Sequence, residues 1–252
     1  MLYKIGKKAF DIIPFLRPIL LKGQHRFAPK FDGWGMTSVH ELPNTSESEK
    51  RFNDALNYVH QNFDKSNSHS YDKQTIDVSL WRFWFASYAA RHAKTFADSD
   101  IFVECGVGMG YTAYFAMTQL ESFTMHLYDR WGGMPERDNF YEDLDIETTK
   151  KNLVQFEKNI VYHKGTIPET FVNAPDKIAY IHIDLNSAQA TKETLEFFIP
   201  RLVDNAVILF DEYGFKGESE TKEVTDDILS KLKGIFLKLP TGQAIYYHKL
   251  VS

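Results

Sequence analysis

Between residues 101 and 111 the chain reads Ile-Phe-Val-Glu-Cys-Gly-Val-Gly-Met-Gly-Tyr, an apolar run that ends on an acid and breaks into three alternating glycines. Lacking a Cβ, glycine permits a tight turn and lets backbone N–H groups approach a ligand, which the start of a following helix can also engage. Glu104, Gly106, Gly108 and Gly110 therefore predict a strand, a turn and a helix start built around a nucleotide-type cofactor. The spacing G-x-G-x-G with Tyr111 next omits the third glycine of G-x-G-x-x-G, which argues against a nicotinamide dinucleotide. An acid at the strand end suits a positively charged ligand group better than a pyrophosphate.

Other polar residues close other apolar runs. Asp129 ends the second run about 20 residues past the glycine turn, where an acid binds ribose hydroxyls. An acid before Gly132 and Gly133 also caps turns. Tyr111 and Arg130, beside these two acids, join the cofactor contacts. Gly165, Thr166 and Ile167 follow the third run and either meet an adenine or form an ordinary turn. Asp184 ends the fourth run and Asp211-Glu212 the fifth. Adjacent strands would bring these three carboxylates into a hard oxygen cluster suited to Mg²⁺, Mn²⁺ or Ca²⁺, which could hold a diol and lower a hydroxyl pKa. In the other reading Asp184 contacts the cofactor or acts as a base, Asp211 caps a loop, and no metal binds. His182 shares strand parity with Asp184 and lies beneath the site or in the core. His163 and Tyr213 are bases or substrate contacts by position. No Ser/His/Asp order, C-x-x-C pair, H-E-x-x-H helix or P-loop supports a hydrolase or kinase.

The positioning elements follow from periodicity. Apolar runs at Ile101–Cys105, Thr124–Tyr128, Ile160–His163, Ile178–Ile183, Ala206–Phe210, Ile235–Leu239 and Ala244–His248 alternate with helical stretches at Tyr111–Leu120, Ile146–Lys158, Thr191–Pro200 and Thr221–Lys233. This alternation predicts an α/β fold with a parallel sheet. Only Pro240-Thr-Gly-Gln243 joins the last two runs, so the final strand is antiparallel to its neighbour. Upstream, Ser46-Glu-Ser-Glu49 is a capping box before Phe52, Leu56, Val59 and Phe63 at helical spacing. Asp77 to Thr95 is a helix apolar nearly all round, hence buried on several sides. Phe27 to Thr45 has no sustained period and is a candidate lid.

A net charge of −5 over 252 residues offers no footprint for a phosphate backbone, so nucleic-acid binding is not expected. The single cysteine, Cys105, excludes an internal disulfide framework and reads as core filler. The basic, apolar start is broken by Asp11, Pro14, Arg17 and Pro18, so it reads as neither signal peptide nor stable membrane insertion, and a cytoplasmic protein is expected.

Four blocks, Phe102–Gly110, Leu127–Pro135, Tyr180–Asn186 and Val207–Gly214, resemble class I S-adenosylmethionine-dependent methyltransferases, specifically the macrocin O-methyltransferase-like group that methylates sugars. The resemblance spans about Asp100 to His248. It implies a Rossmann-like seven-stranded, mostly parallel sheet with an antiparallel last strand, helices on both faces and an N-terminal helical cap. Residues 1–95 would form the cap or lid and residues 96–252 the cofactor-binding domain. Glu104 and the glycines fall at the methionine part, Asp129 at the ribose, and Asp184, Asp211 and Glu212 at the acidic metal positions. Asp184-Leu-Asn186 carries one acid fewer than the family's Asp-Ala-Asp-Leu-Tyr, and Glu212 stands where Asp is commoner. The implied activity is methyl transfer to a hydroxyl of a sugar or glycosylated small molecule, a divalent metal (Mg²⁺, or Mn²⁺ or Ca²⁺) assisting, with a homodimer contact through the cap. A noncatalytic cofactor-binding or assembly protein is the competing reading.

Overall fold

The computed structural model describes residues 46–67, 69–133, 142–215 and 219–249. The candidate lid and the basic N-terminal stretch lie outside them. Seven strands, β1 (Ile101–Cys105), β2 (Thr124–Asp129), β3 (Ile160–Lys164), β4 (Ile178–Ile183), β5 (Leu202–Phe210), β6 (Gly234–Lys238) and β7 (Ala244–His248), form one sheet in the order β3-β2-β1-β4-β5-β7-β6. β3, β2, β1, β4 and β5 run parallel, and β7 is antiparallel to both β5 and β6. The short link before Gln243 is the reason: Gly242 N–H donates to the Leu239 carbonyl and Leu239 N–H to the Gln243 carbonyl, closing a hairpin.

Strand residues alternate between two cores. Phe102, Tyr180, Val207 and Leu209 face one side. Val103, Cys105, Ile181, Ile183, Ile208 and Phe210 face the other. The first core is covered by α1 (Glu47–Asn62), α3 (Leu80–Phe96) and α4 (Tyr111–Met117), the second by α6 (Ala188–Phe198) and α7 (Ser219–Leu229). Helices thus lie on both faces, as a parallel sheet buried on two sides requires.

The capping box forms as expected. Ser46 Oγ accepts from Glu49 N–H, and Glu49 Oε2 accepts from Ser46 N–H at 2.7 Å. Such a cap contributes about 0.5–2 kcal/mol. The buried helix expected over Asp77–Thr95 begins earlier and breaks once. Asp72 caps α2 (Lys73–Val78), accepting from Thr75 N–H, and the chain then turns at Ser79 into α3. In α3, Phe83 stacks on Phe115 at 4.7 Å between centroids and Trp84 meets Phe52 edge-on at 5.0 Å. Its aromatic circumference is therefore used against two neighbours. The helix expected over Ile146–Lys158 is α5 (Ile146–Asn152) followed by a 3₁₀ stretch, Val154–Asn159. Buried Leu153 adopts a non-helical conformation between them and packs beside Gly110.

The chain reverses its strand order between β1 and β4. Ligands of open α/β sheets bind beyond the carboxyl ends of strands at such a switch point. Glu104 and Asp184 stand there.

Candidate active site

Beyond those strand ends lies a cavity of about 690 Å³, within the range of roughly 300–1,000 Å³ usual for small-molecule sites. Its wall contains Glu104, Gly106, Gly108, Tyr111, Asp129, Arg130, Gly165, Thr166, Ile167 and Asp184. These came from four separate strand ends in the sequence. The structure gathers them into one place.

The glycine turn is held from several sides. Gly106 has φ +86°, and a Cβ there would lie 1.7 Å from the Asp184 carbonyl oxygen. Only glycine lets β1 and β4 approach this closely. Gly108, φ +53°, has open space where its Cβ would be, so its side of the turn can be approached by a ligand. Gly110, φ +85°, is absent from the cavity wall. Its Cβ would press on Leu153, and it stands at the N-cap of α4. Close packing against Leu153 is what requires glycine at this position.

Asp129 is occupied by the turn itself. One carboxylate oxygen accepts from Val107 N–H at 2.7 Å and Gly108 N–H at 2.8 Å, the other from Trp131 N–H at 2.8 Å. Asp129 thus caps the glycine turn and also lines the cavity. Each oxygen carries two lone pairs, so Oδ2 is filled by its two donors and Oδ1 keeps one acceptor position. Trp131 adopts φ +45° and donates through its indole to Thr149 Oγ1 at 2.9 Å, and Thr149 Oγ1 donates to the Gly108 carbonyl at 2.7 Å. Asn152 donates to the Met109 carbonyl at 3.0 Å and accepts from Asp64 N–H at 2.9 Å. Helix α5 thereby fixes the turn from above. Periodicity gave no sign of these residues, because Thr149 and Asn152 sit on a short polar helix.

Glu104 is 1% exposed and its Oε2 has no hydrogen-bond partner. Burial pushes its carboxyl above the usual range, His182 opposing the rise and Asp184 and Asp129 adding to it. An unpaired, buried carboxylate oxygen in a cavity wall is costly unless a ligand donor meets it. Asp184 also has its carboxyl raised by burial, with His182 and Arg82 opposing.

His182 is fully buried and outside the wall, its Nδ1 3.5 Å from Glu104 Oε1 and its Nε2 3.8 Å from Asp211 Oδ1. It lies beneath the cavity wall, as strand parity suggested. Tyr213 points away: it is 4% exposed, its hydroxyl donates to Asp226 Oδ1 at 2.6 Å, and its ring meets Phe236. Its expected substrate contact is corrected to packing under α7. His163 stacks on Tyr128 at 4.1 Å and shares a 3.0 Å hydrogen bond with His126, also off the cavity wall.

The three acids proposed for a metal do not act together. Asp211 Oδ2 is paired with the Arg82 guanidinium, and its Oδ1 accepts from Gln243 Nε2 at 2.8 Å. Glu212 Oε2 accepts from Asn186 N–H at 2.7 Å. Of the three, only Asp184 lines the cavity. Among the described residues, no group of three or more His, Cys, Asp or Glu side chains is arranged to hold a metal ion. The donor set does not fit the ion. Sequence reading missed Arg82, although a lone cation between Trp81 and Phe83 in a helix apolar nearly all round was a usable signal.

The connector from Asp64 to Asp72 supplies a further wall. Tyr71 stacks on Tyr111 at 4.6 Å, its N–H donates to the Tyr111 hydroxyl at 3.0 Å, and His69 Nε2 lies 3.1 Å from Asp143. His69, Ser70, Tyr71 and, from α3, Phe83 face the cavity. No described helix is long and apolar enough to cross a membrane.

Sheet order, glycine turn and strand-end acids define a Rossmann-like α/β protein with a cavity at its switch point. Residues 103–213 of the chain match a family model described as a methyltransferase domain. No curated protein matches the chain by sequence. Among solved structures it is similar to the O-methyltransferase NovP, with 13% identity, TM-score 0.65, and coverage of 80% of this chain and 98% of that one. It is also similar to CalS11, a calicheamicin methyltransferase, at 15% identity and TM-score 0.52, covering 84% of this chain and 98% of that one. An O-methyltransferase from Bacillus cereus in complex with SAH matches at 11% identity and TM-score 0.53, covering 87% and 100%. At such identities the likeness concerns the fold, which hosts many substrates.

Proposed function

We propose that the protein transfers a methyl group from S-adenosylmethionine to a hydroxyl oxygen of a small molecule, a sugar or a glycosylated compound, with Asp184 as the base. The unpartnered, buried Oε2 of Glu104 in the cavity wall carries this reading. It is matched to an ammonium group, and the open space at Gly108 admits a nucleoside. In this assignment Asp129 accepts from a ribose hydroxyl through Oδ1, while Gly165, Thr166, Ile167 and Arg130 flank the adenine. The oxygen acceptor is supported by NovP, named as an O-methyltransferase, and by CalS11, named as a TDP-rhamnose 3'-O-methyltransferase.

Bound cofactor supplies an electrophilic methyl carbon on a sulfonium. The protein's own residues position and deprotonate. Tyr71, Phe83 and Tyr111 form an aromatic wall that orients the acceptor and excludes water, removing much of the entropic barrier. Asp184 would take the proton of the acceptor hydroxyl at its carboxylate, leaving that oxygen as the nucleophile. Burial raises its carboxyl above the ordinary range, which makes it a stronger base, and rate falls as pH drops through that raised value. Metal assistance, expected from the three acids, is left out because both Asp211 oxygens are already engaged.

Asp184→Asn is expected to lower turnover by about 10²–10⁴-fold, the usual contribution of a general base, and to remove the acidic limb of the pH profile. Calorimetric binding of S-adenosylmethionine should stay near the wild-type value. Unchanged turnover in the variant, with an acceptor the wild type methylates, would displace Asp184 from this role.

A further inference from the structure

We infer that Arg82 holds the position of a divalent cation at the acidic corner beyond β4 and β5, so that the protein takes up no metal there and works without one. This rests on the proposed reading of the cavity as a methyl-transfer site.

The argument starts from Asp211. Its side chain is 3% exposed and both oxygens are engaged, one by the Arg82 guanidinium and the other by Gln243 Nε2 at 2.8 Å. Gln243 also donates to the Arg82 backbone carbonyl at 3.4 Å. The β6–β7 hairpin therefore grips both the acid and the helix that carries the arginine. Arg82 stands at the start of α3 between Trp81 and Phe83, and its side chain is 17% exposed. Burial alone disfavours its charge, and Asp184, Tyr71 and Glu212 counter that. A guanidinium remains protonated at any physiological pH. The corner thus already holds a covalently attached cation, paired with Asp211.

Mg²⁺ requires near-octahedral oxygen ligation and Ca²⁺ six to eight oxygens. To enter, either ion would have to displace Arg82 from Asp211 and leave a buried guanidinium without its partner, which is strongly unfavourable. Glu212 is turned to Asn186 N–H at 2.7 Å. Asp184 is left as the acid on the cavity, free to serve as a base rather than as one ligand of three. Arg82 acts through Asp211 and Asp184 and is a positioning residue, since it lies outside the cavity wall.

The test uses the full chain after chelator treatment, with Mn²⁺ alone as probe and paramagnetic resonance of free Mn²⁺ as readout. Neither cofactor nor acceptor is present, so the result does not depend on methyl transfer. Wild type should take up no stoichiometric Mn²⁺. Arg82→Gln should bind Mn²⁺ about tenfold or more tightly than wild type, the least expected from removing a unit positive charge a few ångströms from the ion. Arg82→Lys should not gain Mn²⁺, and Asp211→Asn added to Arg82→Gln should abolish the gain. One-to-one uptake by wild type overturns the inference, as does a folded Arg82→Gln variant that takes up no more than wild type. Should Arg82→Gln fail to fold, the wild-type titration and Arg82→Lys decide by the same criteria. Separate calorimetry with S-adenosylmethionine tells a failure of this inference from a failure of the proposed function.

Discussion

Glu104→Gln preserves shape and removes one charge, so it isolates what that carboxylate does. The side chain is 1% exposed, Oε2 has no partner, and His182 Nδ1 lies 3.5 Å from Oε1, too far for a good hydrogen bond. Burial raises the carboxyl above its ordinary value of 4.5, His182 partly opposing. For a carboxyl raised on folding, the stabilising contribution is present below the unfolded value and is lost as pH rises through the folded one. At a pH above its ordinary value Glu104 therefore weighs against the ligand-free fold. The variant should melt at the same temperature as wild type or higher there, with the gap closing as pH falls towards 4.5. Cofactor binding should move the other way. Replacing a charge-assisted hydrogen bond to an ammonium forfeits about 1.5–3 kcal/mol, or roughly 10- to 150-fold in Kd. Titration calorimetry with S-adenosylmethionine and with its demethylated product, which retains the ammonium, should show the same loss for both. Unchanged affinity for both ligands, or a ligand-free melting temperature several degrees lower, would refute the reasoning.

Gly106→Ala, with φ +86° and a Cβ 1.7 Å from the Asp184 carbonyl, should cost roughly 2–5 kcal/mol from left-handed strain plus overpacking. Gly108→Ala, with open space at its Cβ, should cost only the strain, about 1–2 kcal/mol; denaturant unfolding of the two would contradict this if the costs were equal. Asn152→Ala removes both the donor to the Met109 carbonyl and the acceptor of Asp64 N–H, so a loss of about 1–3 kcal/mol is expected. Hydrogen exchange should then quicken at the Asp64 amide and at the Gly110 amide of the turn, and protection equal to wild type would show that α5 does not fix the turn.

Local pattern was enough for the sheet. The seven apolar runs match β1 to β7 to within a residue at most ends, the exception being β5, which starts four residues earlier, at Leu202. The antiparallel last strand followed from a link too short for a crossover. The glycine turn announced itself because backbone conformation is a local property, and residues alternating along one strand must face opposite cores. The strand ends carrying Glu104, Asp129 and Asp184 could be placed at one edge because parallel strands end together.

Side-chain partnership was decided elsewhere. Asp211 and Asp184 look alike in sequence, each closing an apolar strand, yet one is bound to Arg82 and Gln243 while the other faces the cavity. Tyr213 follows Glu212 directly but turns to Asp226 on α7. Gly110 and Gly108 share a motif, although Leu153 fills the space beside only the first. No periodicity encodes these choices. They depend on which distant helix or hairpin packs against a strand end, and a buried charge takes the partner that tertiary packing brings within hydrogen-bonding reach.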